Sequence, residues 1–406
     1  MNEIAIFGLS ALFICFSLAT FFLSRIPLEI FTNDYDYKLD PLLAVFFTML
    51  LGGIGCYYFF PDQYDTIKDY TCFDFIVPFI FAGIIYFCYL LGVNSITNIV
   101  LFLLSLAISF MQPDDFRLFD GHLIFWQDRI IVAILLFIIS KGLGILNGLG
   151  VIASAQFIVV MAITAILAYL GVIPKVLAII GMAYTGAMLA FAFYSWPPEK
   201  LVITNGGFVT LGFILGCFML NVCVEHSGAS MFIASSFLFT EVGYAIYKRF
   251  ILNIYQEHYY MNTSYYDISE DGLHEKPVVI GVLKIFFINI LLAVLQVAAK
   301  ENVALPVFSV ALNMWMLSVL AGDATSIQIF SITRWGFSSI KKALNYNNNK
   351  EKIQTEIIES EEVFEIEEPI KEVKKSTKTK KTTKTKQQKN TSRKKTSKIT
   401  SSLKTK

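Results

Sequence analysis

The chain has 406 residues, 55% of them hydrophobic and 15% aromatic, and its mean hydropathy is +0.59. So large an apolar share excludes an ordinary water-soluble globular domain and points to a polytopic membrane protein. The net charge of +1 by itself excludes little, because an acidic and a basic stretch near the C-terminus cancel.

In chain order, apolar runs near the roughly 20 residues that cross a bilayer fall at 4–24, 42–60, 74–93, 96–112, 130–147, 150–170, 175–195, 206–224, 229–247, 278–298 and 303–320. They predict an all-α fold of about eleven transmembrane helices. The first run lacks a cationic leader and a small-residue cleavage site, so it reads as a retained helix rather than a cleaved signal. With the N-terminus outside, Arg25, Lys38, Lys141, Lys200, Lys248, Arg249, Lys276, Arg334, Lys341 and Lys342 lie on or near the cytoplasmic side. Only Lys68, Arg117, Arg129, Lys175 and Lys300 then face outward, so the positive charges predict an N-out, C-in topology.

Charges inside or beside the runs have local readings. Asp114 and Asp115 follow the fourth run and read as a solvated outer loop, as does the lone His122. Glu241 and Lys284 lie near enough to helix ends for their heads to reach the interface. The six cysteines, Cys15, Cys56, Cys72, Cys88, Cys217 and Cys223, have no metal-ligand spacing and read as small buried apolar residues. Residues 1–345 form the transmembrane domain in this reading, and 346–406 a tail that is acidic from Glu351 to Glu368 and rich in Lys, Thr and Ser from Lys371 onward. Such a composition predicts a disordered cytoplasmic tail. Its partners are anionic lipid, at about 1 kcal/mol per nearby Lys, nucleic acid, or another cytoplasmic partner.

The most informative stretch runs from Gly186 to Gly212, GAMLAFAFYSWPPEKLVITNGGFVTLG. Pro197 and Pro198 must end the preceding helix, since proline lacks the backbone donor and clashes with the previous turn. Gly206 and Gly207 then permit a tight backbone from which the next helix starts, close enough for a phosphate to approach. The spacing resembles the signature of the polyprenyl-phosphate N-acetylhexosamine-1-phosphate transferases, membrane enzymes that begin lipid-linked glycan assembly. Gly186, Phe191, Pro197, Pro198, Lys200, Gly207 and Gly212 fall on matching positions without a gap. Ser195 stands for the family's Asn, Thr204 for its first Gly, Phe208 for its Ser, and Asn205 for its metal-associated Asp.

A second match lies at Leu146-Asn147-Gly148-Leu149-Gly150-Val151-Ile152-Ala153, where Asn147 and Gly150 replace two family Asp residues. The third family element, an Asp-Asp pair, reads Leu90-Leu91-Gly92-Val93-Asn94-Ser95 here. The His-x-x-Pro opening is also missing from the first inner loop. The loop 248–277 holds His258 and, at Asp271-Gly272-Leu273-His274, a weak echo of the family's His-rich motif, of which only His274 carries over.

The resemblance spans roughly residues 75–320 and implies the family fold, a Mg2+ cofactor if the protein is active, and a polyprenyl phosphate and UDP-sugar as ligands at a bacterial inner membrane. Asn147 and Asn205 would be the catalytic positions, Lys200, Gly206, Gly207 and His274 the substrate-binding ones, and a homodimer a further expectation. Magnesium prefers anionic oxygen, so replacing Asp by Asn removes charge that the metal needs. The first expectation is therefore a noncatalytic or diverged homologue linked to cell-envelope glycan synthesis. The alternatives are an active transferase whose ligands come from Asp34, Asp36, Asp40, Asp267, Glu270 or Asp271, and an unrelated transporter or glycan polymerase.

Overall fold

A computed structural model describes residues 2–25, 41–59, 72–92, 94–118, 123–197, 199–250, 263–264, 275–299 and 304–321. The expected loop histidines His122, His258 and His274, the aspartates Asp34, Asp36, Asp40, Asp267 and Asp271, Glu270, Pro198 and the tail lie outside these. All the described helices belong to the unit Met1–Asn347.

The described residues form eleven α-helices and no strand: α1 (Asn2–Ser24), α2 (Pro41–Phe59), α3 (Cys72–Leu90), α4 (Asn94–Met111), α5 (Phe125–Ile145), α6 (Gly150–Tyr169), α7 (Lys175–Tyr194), α8 (Asn205–Val222), α9 (Gly228–Phe250), α10 (Glu275–Ala298) and α11 (Ala304–Ala321). Seven helical spans are long and apolar enough to cross a membrane, and α2, α3, α4 and α11 contribute shorter apolar segments. Large side chains such as Phe13, Phe193 and Trp126 point outward, away from the core. Helices apolar on every face suit a lipid surround rather than water, the build of a multi-pass membrane protein.

Three of these helices form the centre. α6 packs along α7, α8 is the most buried of the spans, and each carries its own flank. α1 and α2 cover α7, α3 and α5 cover α8, and α9 with α10 covers α6, while α11 lies against α9 and α10. Small residues set the closest approaches. A Cβ on Gly186 of α7 would collide with the Leu12 carbonyl of α1, and one on Gly212 of α8 would lie 2.7 Å from the Ser140 carbonyl of α5. Between the same two helices, Ser140 Oγ donates to the Val209 carbonyl over 2.8 Å.

No loop separates α8 from α9. A π-helical segment, Cys223–Ser227, joins them directly. The helical path nevertheless folds back on itself, because neighbouring glycines of α5 meet both arms: Gly144 faces Val209, and Gly142 faces Leu238 and Val242. Residues 29 apart in sequence therefore share one level, so the wide π turns form the corner of an antiparallel pair.

Two charged residues depart from the reading above. Arg129 was expected on the outer side, just before a run beginning at 130, yet α5 begins at Phe125 and Arg129 is fully buried within it. Its guanidinium donates to the carbonyls of Ser109 (2.9 Å), Gln112 (3.3 Å) and Pro113 (2.5 Å), closing the C-terminal end of α4. Helix C-termini leave carbonyls without intrahelical partners and favour a cation, so the buried charge has a physical reason. Glu241 does not reach an interface; it is fully buried in α9 and accepts from the backbone N–H and hydroxyl of Ser264. Asp114 and Asp115 are exposed, in keeping with a solvated turn.

Candidate functional site

At one end of the bundle the last turns of α3 and α5 meet the first turns of α6 and α8 and the connection 195–204. Proline explains that connection. α7 stops at Tyr194, and the chain bends through Ser195, Trp196 and Pro197. It then folds back so that the N–H groups of Lys200 and Leu201 both donate to the Tyr194 carbonyl, at 2.9 and 3.3 Å. Leu201 and Ile203, both fully buried, anchor it to the core.

α8 starts immediately afterward. Thr204 is its N-cap, accepting from Gly207 N over 3.2 Å, and the Phe208 N–H donates to the Thr204 carbonyl over 3.0 Å. Gly206 and Gly207 thus lie in the first helical turn with ordinary helical backbone, not in a preceding glycine turn. What Gly206 supplies is clearance. A Cβ there would come within 2.8 Å of Cβ and Cγ of Tyr89, whose ring lies over the start of the helix.

The Tyr89 hydroxyl receives a hydrogen bond from Lys141 Nζ over 2.5 Å, and the ammonium lies 5.2 Å from the ring centroid. An amine on α5 is thereby held by α3 beside the N-terminal turn of α8. Backbone N–H groups and the macrodipole of such a turn attract anions. One tyrosine thus touches both, the lysine at its hydroxyl and the first turn of α8 at its Cβ and Cγ.

The two asparagines that the resemblance would align with Asp residues are neighbours through α5. Asn205 Oδ1 would lie 2.8 Å from a Cβ on Gly144, three residues before Asn147. Both Asn147 Oδ1 and Asn205 Oδ1 are buried and have no hydrogen-bonding partner within the protein. Leaving an amide oxygen unpaired costs on the order of 1–3 kcal/mol. Two such atoms within about one helical turn are donor-seeking acceptors at the same end as Lys141.

Gly150, the third position at which the resemblance would place an Asp, takes a different part. Its N–H, first in α6, donates to Glu199 Oε1 over 2.9 Å, so the connection 195–204 caps a second helix N-terminus. A Cβ on Gly150 would meet Ser195 at 3.5 Å and Glu199 at 3.8 Å. Burial pushes the Glu199 carboxyl up to about 7; the Gly150 hydrogen bond opposes that rise, and the charge of Glu275 adds to it. The Lys200 side chain, expected to bind substrate, is exposed.

These donors do not fit a magnesium ion. Mg2+ needs near-octahedral oxygen coordination with anionic ligands, whereas the three replaced positions offer two neutral amides and a glycine. The nearby carboxyl of Glu199 is engaged in capping α6, and burial raises it above the ordinary carboxylate range. Among the described residues no group of three His, Cys, Asp or Glu converges on a point. An apolar cavity of about 100 Å3 lies elsewhere, between Leu136 of α5, Gly216 of α8 and Met231 of α9, and has no charged group to receive a phosphate.

Sequence reasoning missed three participants. Lys141 served there only as a topological charge, Tyr89 was one aromatic among many, and Glu199 was a loop charge. The available signal was an ionisable residue within an apolar run, six residues before Asn147, since such residues are costly in a membrane and tend to mark sites. No known family matches the chain, and no characterised protein matches it.

Proposed function

We propose that the end formed by α3, α5, α6 and α8 binds the phosphate-bearing head of a polyprenyl phosphate or UDP-sugar, and that the protein is a noncatalytic homologue of the sugar-1-phosphate transferases. Its place is the bacterial inner membrane, as a regulator or scaffold of lipid-linked envelope glycan synthesis. The observation that carries this reading is the Lys141–Tyr89 hydrogen bond above Gly206. It supplies an organised positive charge near a helix N-terminus where the described residues gather no group of carboxylates for a metal. Asn147 and Asn205 bring acceptor oxygens and, through their amide nitrogens, donors suited to phosphate oxygens or a sugar hydroxyl.

In this reading all eleven described helices cross the membrane, the N-terminus lies outside, and the lysine-rich tail lies inside beside anionic lipid. The site is then on the cytoplasmic side, where nucleotide-sugars are available. Catalysis is not part of the proposal, because phosphoryl transfer relies on charge stabilisation that a single ammonium supplies only in part.

The test uses the purified full-length protein in detergent, with binding of polyprenyl phosphate and of UDP-N-acetylglucosamine measured alongside UMP release in magnesium. Saturable binding that Lys141→Met weakens at least tenfold, without UMP release, is the expected result. Magnesium-dependent UMP release would replace the proposal with an active transferase, and no binding of either ligand would overturn it.

A further inference from the structure

The apolar cavity of about 100 Å3 between α5, α8 and α9 lies away from the end that holds Lys141. Its lining runs from Val132 to Ile139 on α5, from Gly216 on α8 to Cys223 at the corner, and from Gly228 to Phe239 on α9. In each case the residues follow the i, i+3, i+4, i+7 spacing, which traces one face of a helix. Three stripes therefore face one another. At the helical rise they extend about 10 Å along α5 and α8 and about 16 Å along α9, so the opening is drawn out along the helix axes into a slot.

Small residues make the room. Gly216 and Gly228 carry no side chain, and a Cβ on Gly228 would meet nothing nearer than Cys223 Sγ at 3.9 Å. Ser235, the hydroxyl of the lining, donates back to the carbonyls of Met231 and Phe232, over 2.8 and 3.2 Å, and offers the slot no donor. With no charge and no free polar group to hold it, water has no reason to stay, and an apolar cavity of this kind takes up hydrocarbon instead. Left empty, the lining forfeits the dispersion contacts that a close-packed interior makes.

The wall reaches the outside of the bundle. Phe232, stacked on Phe239 with ring centroids 5.1 Å apart, is exposed by 38%, and Leu118 and Leu135 are half-buried. All three stripes belong to helical spans long and apolar enough to cross a membrane. What meets the bundle at that depth is the hydrocarbon of the bilayer, whose chains run along the same direction as membrane-crossing helices. The volume is close to the roughly 150 Å3 at which an apolar cavity admits benzene, so it suits a segment of one chain rather than a whole lipid.

We propose that this slot is a lipid site, in which a segment of a phospholipid acyl chain inserts between α5, α8 and α9 beside the π-helical corner. Gly216 stands 11 residues beyond the start of α8, about 16 Å along the helix. The site is thus separate from the phosphate-binding reading and stands or falls independently of it.

Photo-crosslinking of the full-length protein in lipid nanodiscs tests it, with a phosphatidylglycerol carrying a diazirine midway along one acyl chain as the probe. Leu136 and Met231 line the slot and are exposed by 2 and 0%, beyond reach of a lipid that only coats the bundle. Met188 and Phe213, as deeply buried and outside the lining, are the controls. Cross-linking at Leu136 and Met231 at least fivefold above the controls is expected, falling to the control level in Ser235→Leu, whose larger side chain fills the slot, and kept in Ser235→Ala. Labelling equal to the controls in the unaltered protein would overturn the proposal, as would an excess that Ser235→Leu leaves unchanged. Labelling of the two residues by a diazirine-bearing polyprenyl phosphate but not by the phospholipid would overturn it as well, by assigning the slot to a prenyl chain. The first comparison needs no variant, so a folding failure of Ser235→Leu leaves the test decisive.

Discussion

Lys141 and Tyr89, 52 residues apart, are joined by a 2.5 Å hydrogen bond that ties α5 to α3, and the tyrosine ring closes over Gly206 at the start of α8. The bond holds the amine in place without neutralising it, because a phenol is an uncharged acceptor. Removing the amine by Lys141→Met is expected to reduce phosphate-ligand affinity about 10- to 100-fold, the range of a charge-assisted hydrogen bond worth about 1.5–3 kcal/mol. Tyr89→Phe keeps the ring and loses only the anchor, so its effect is expected to be smaller. Titration of both variants with polyprenyl phosphate measures the difference.

Gly206→Ala probes the same contact from the backbone side. The added methyl would sit 2.8 Å from Tyr89 Cβ and Cγ, atoms too near the backbone to swing away cheaply. A loss of about 1–3 kcal/mol is expected, as for other overpacked sites. Gly83→Ala on α3 is the control, since nothing lies within 4 Å of its Cβ position; there the change is expected to be neutral or stabilising by up to about 1 kcal/mol. Thermal unfolding in detergent ranks the two.

Glu199 confers a pH dependence of definite sign. Its carboxyl rises from an ordinary value of 4.5 to about 7 in the folded protein. A raised carboxyl favours the folded state below the ordinary value, and that advantage is lost as pH climbs through about 7. Stability is therefore expected to decline between about pH 4.5 and 7 by on the order of 1–2 kcal/mol, discounted for partial exposure. Glu199→Gln is expected to flatten this part of the profile. Denaturation midpoints at several pH values for both proteins provide the check.

Arg129→Met removes the guanidinium that closes α4. The carbonyls of Ser109, Gln112 and Pro113 would lose their donor, and Phe125 would lose the cation 4.9 Å from its ring. A destabilisation of about 2–4 kcal/mol is expected from leaving buried acceptors unpaired. The loss should appear as reduced yield of folded protein and a lowered unfolding temperature.

Much of the helical layout was legible because hydrocarbon demands long apolar runs, and each of the eleven expected runs overlaps a described helix. The start of α5 was not legible. Asp128 and Arg129 look like loop charges until the α4 carbonyls that receive Arg129 are in view, and those lie 16 to 20 residues away. Glu241 misled for the same reason, its partner Ser264 lying 23 residues on. At the candidate site, the proline break and the position of Asn205 followed from local spacing. The role of Gly206 did not, since it depends on a tyrosine more than a hundred residues earlier. Gly186, which matched a motif position, serves a close approach to α1.

The π-helical corner at Cys223–Ser227 joins α8 to α9 without a break in helical backbone. A flexible connector would let one arm turn while the other stayed still. Here helical backbone continues from Asn205 through the corner to Phe250, so a displacement of the first turn of α8 would be passed round the bend like the throw of a crank. On α9 it would reach Ala234 and Ser236, which accept hydrogen bonds from Gln156 and Asn313.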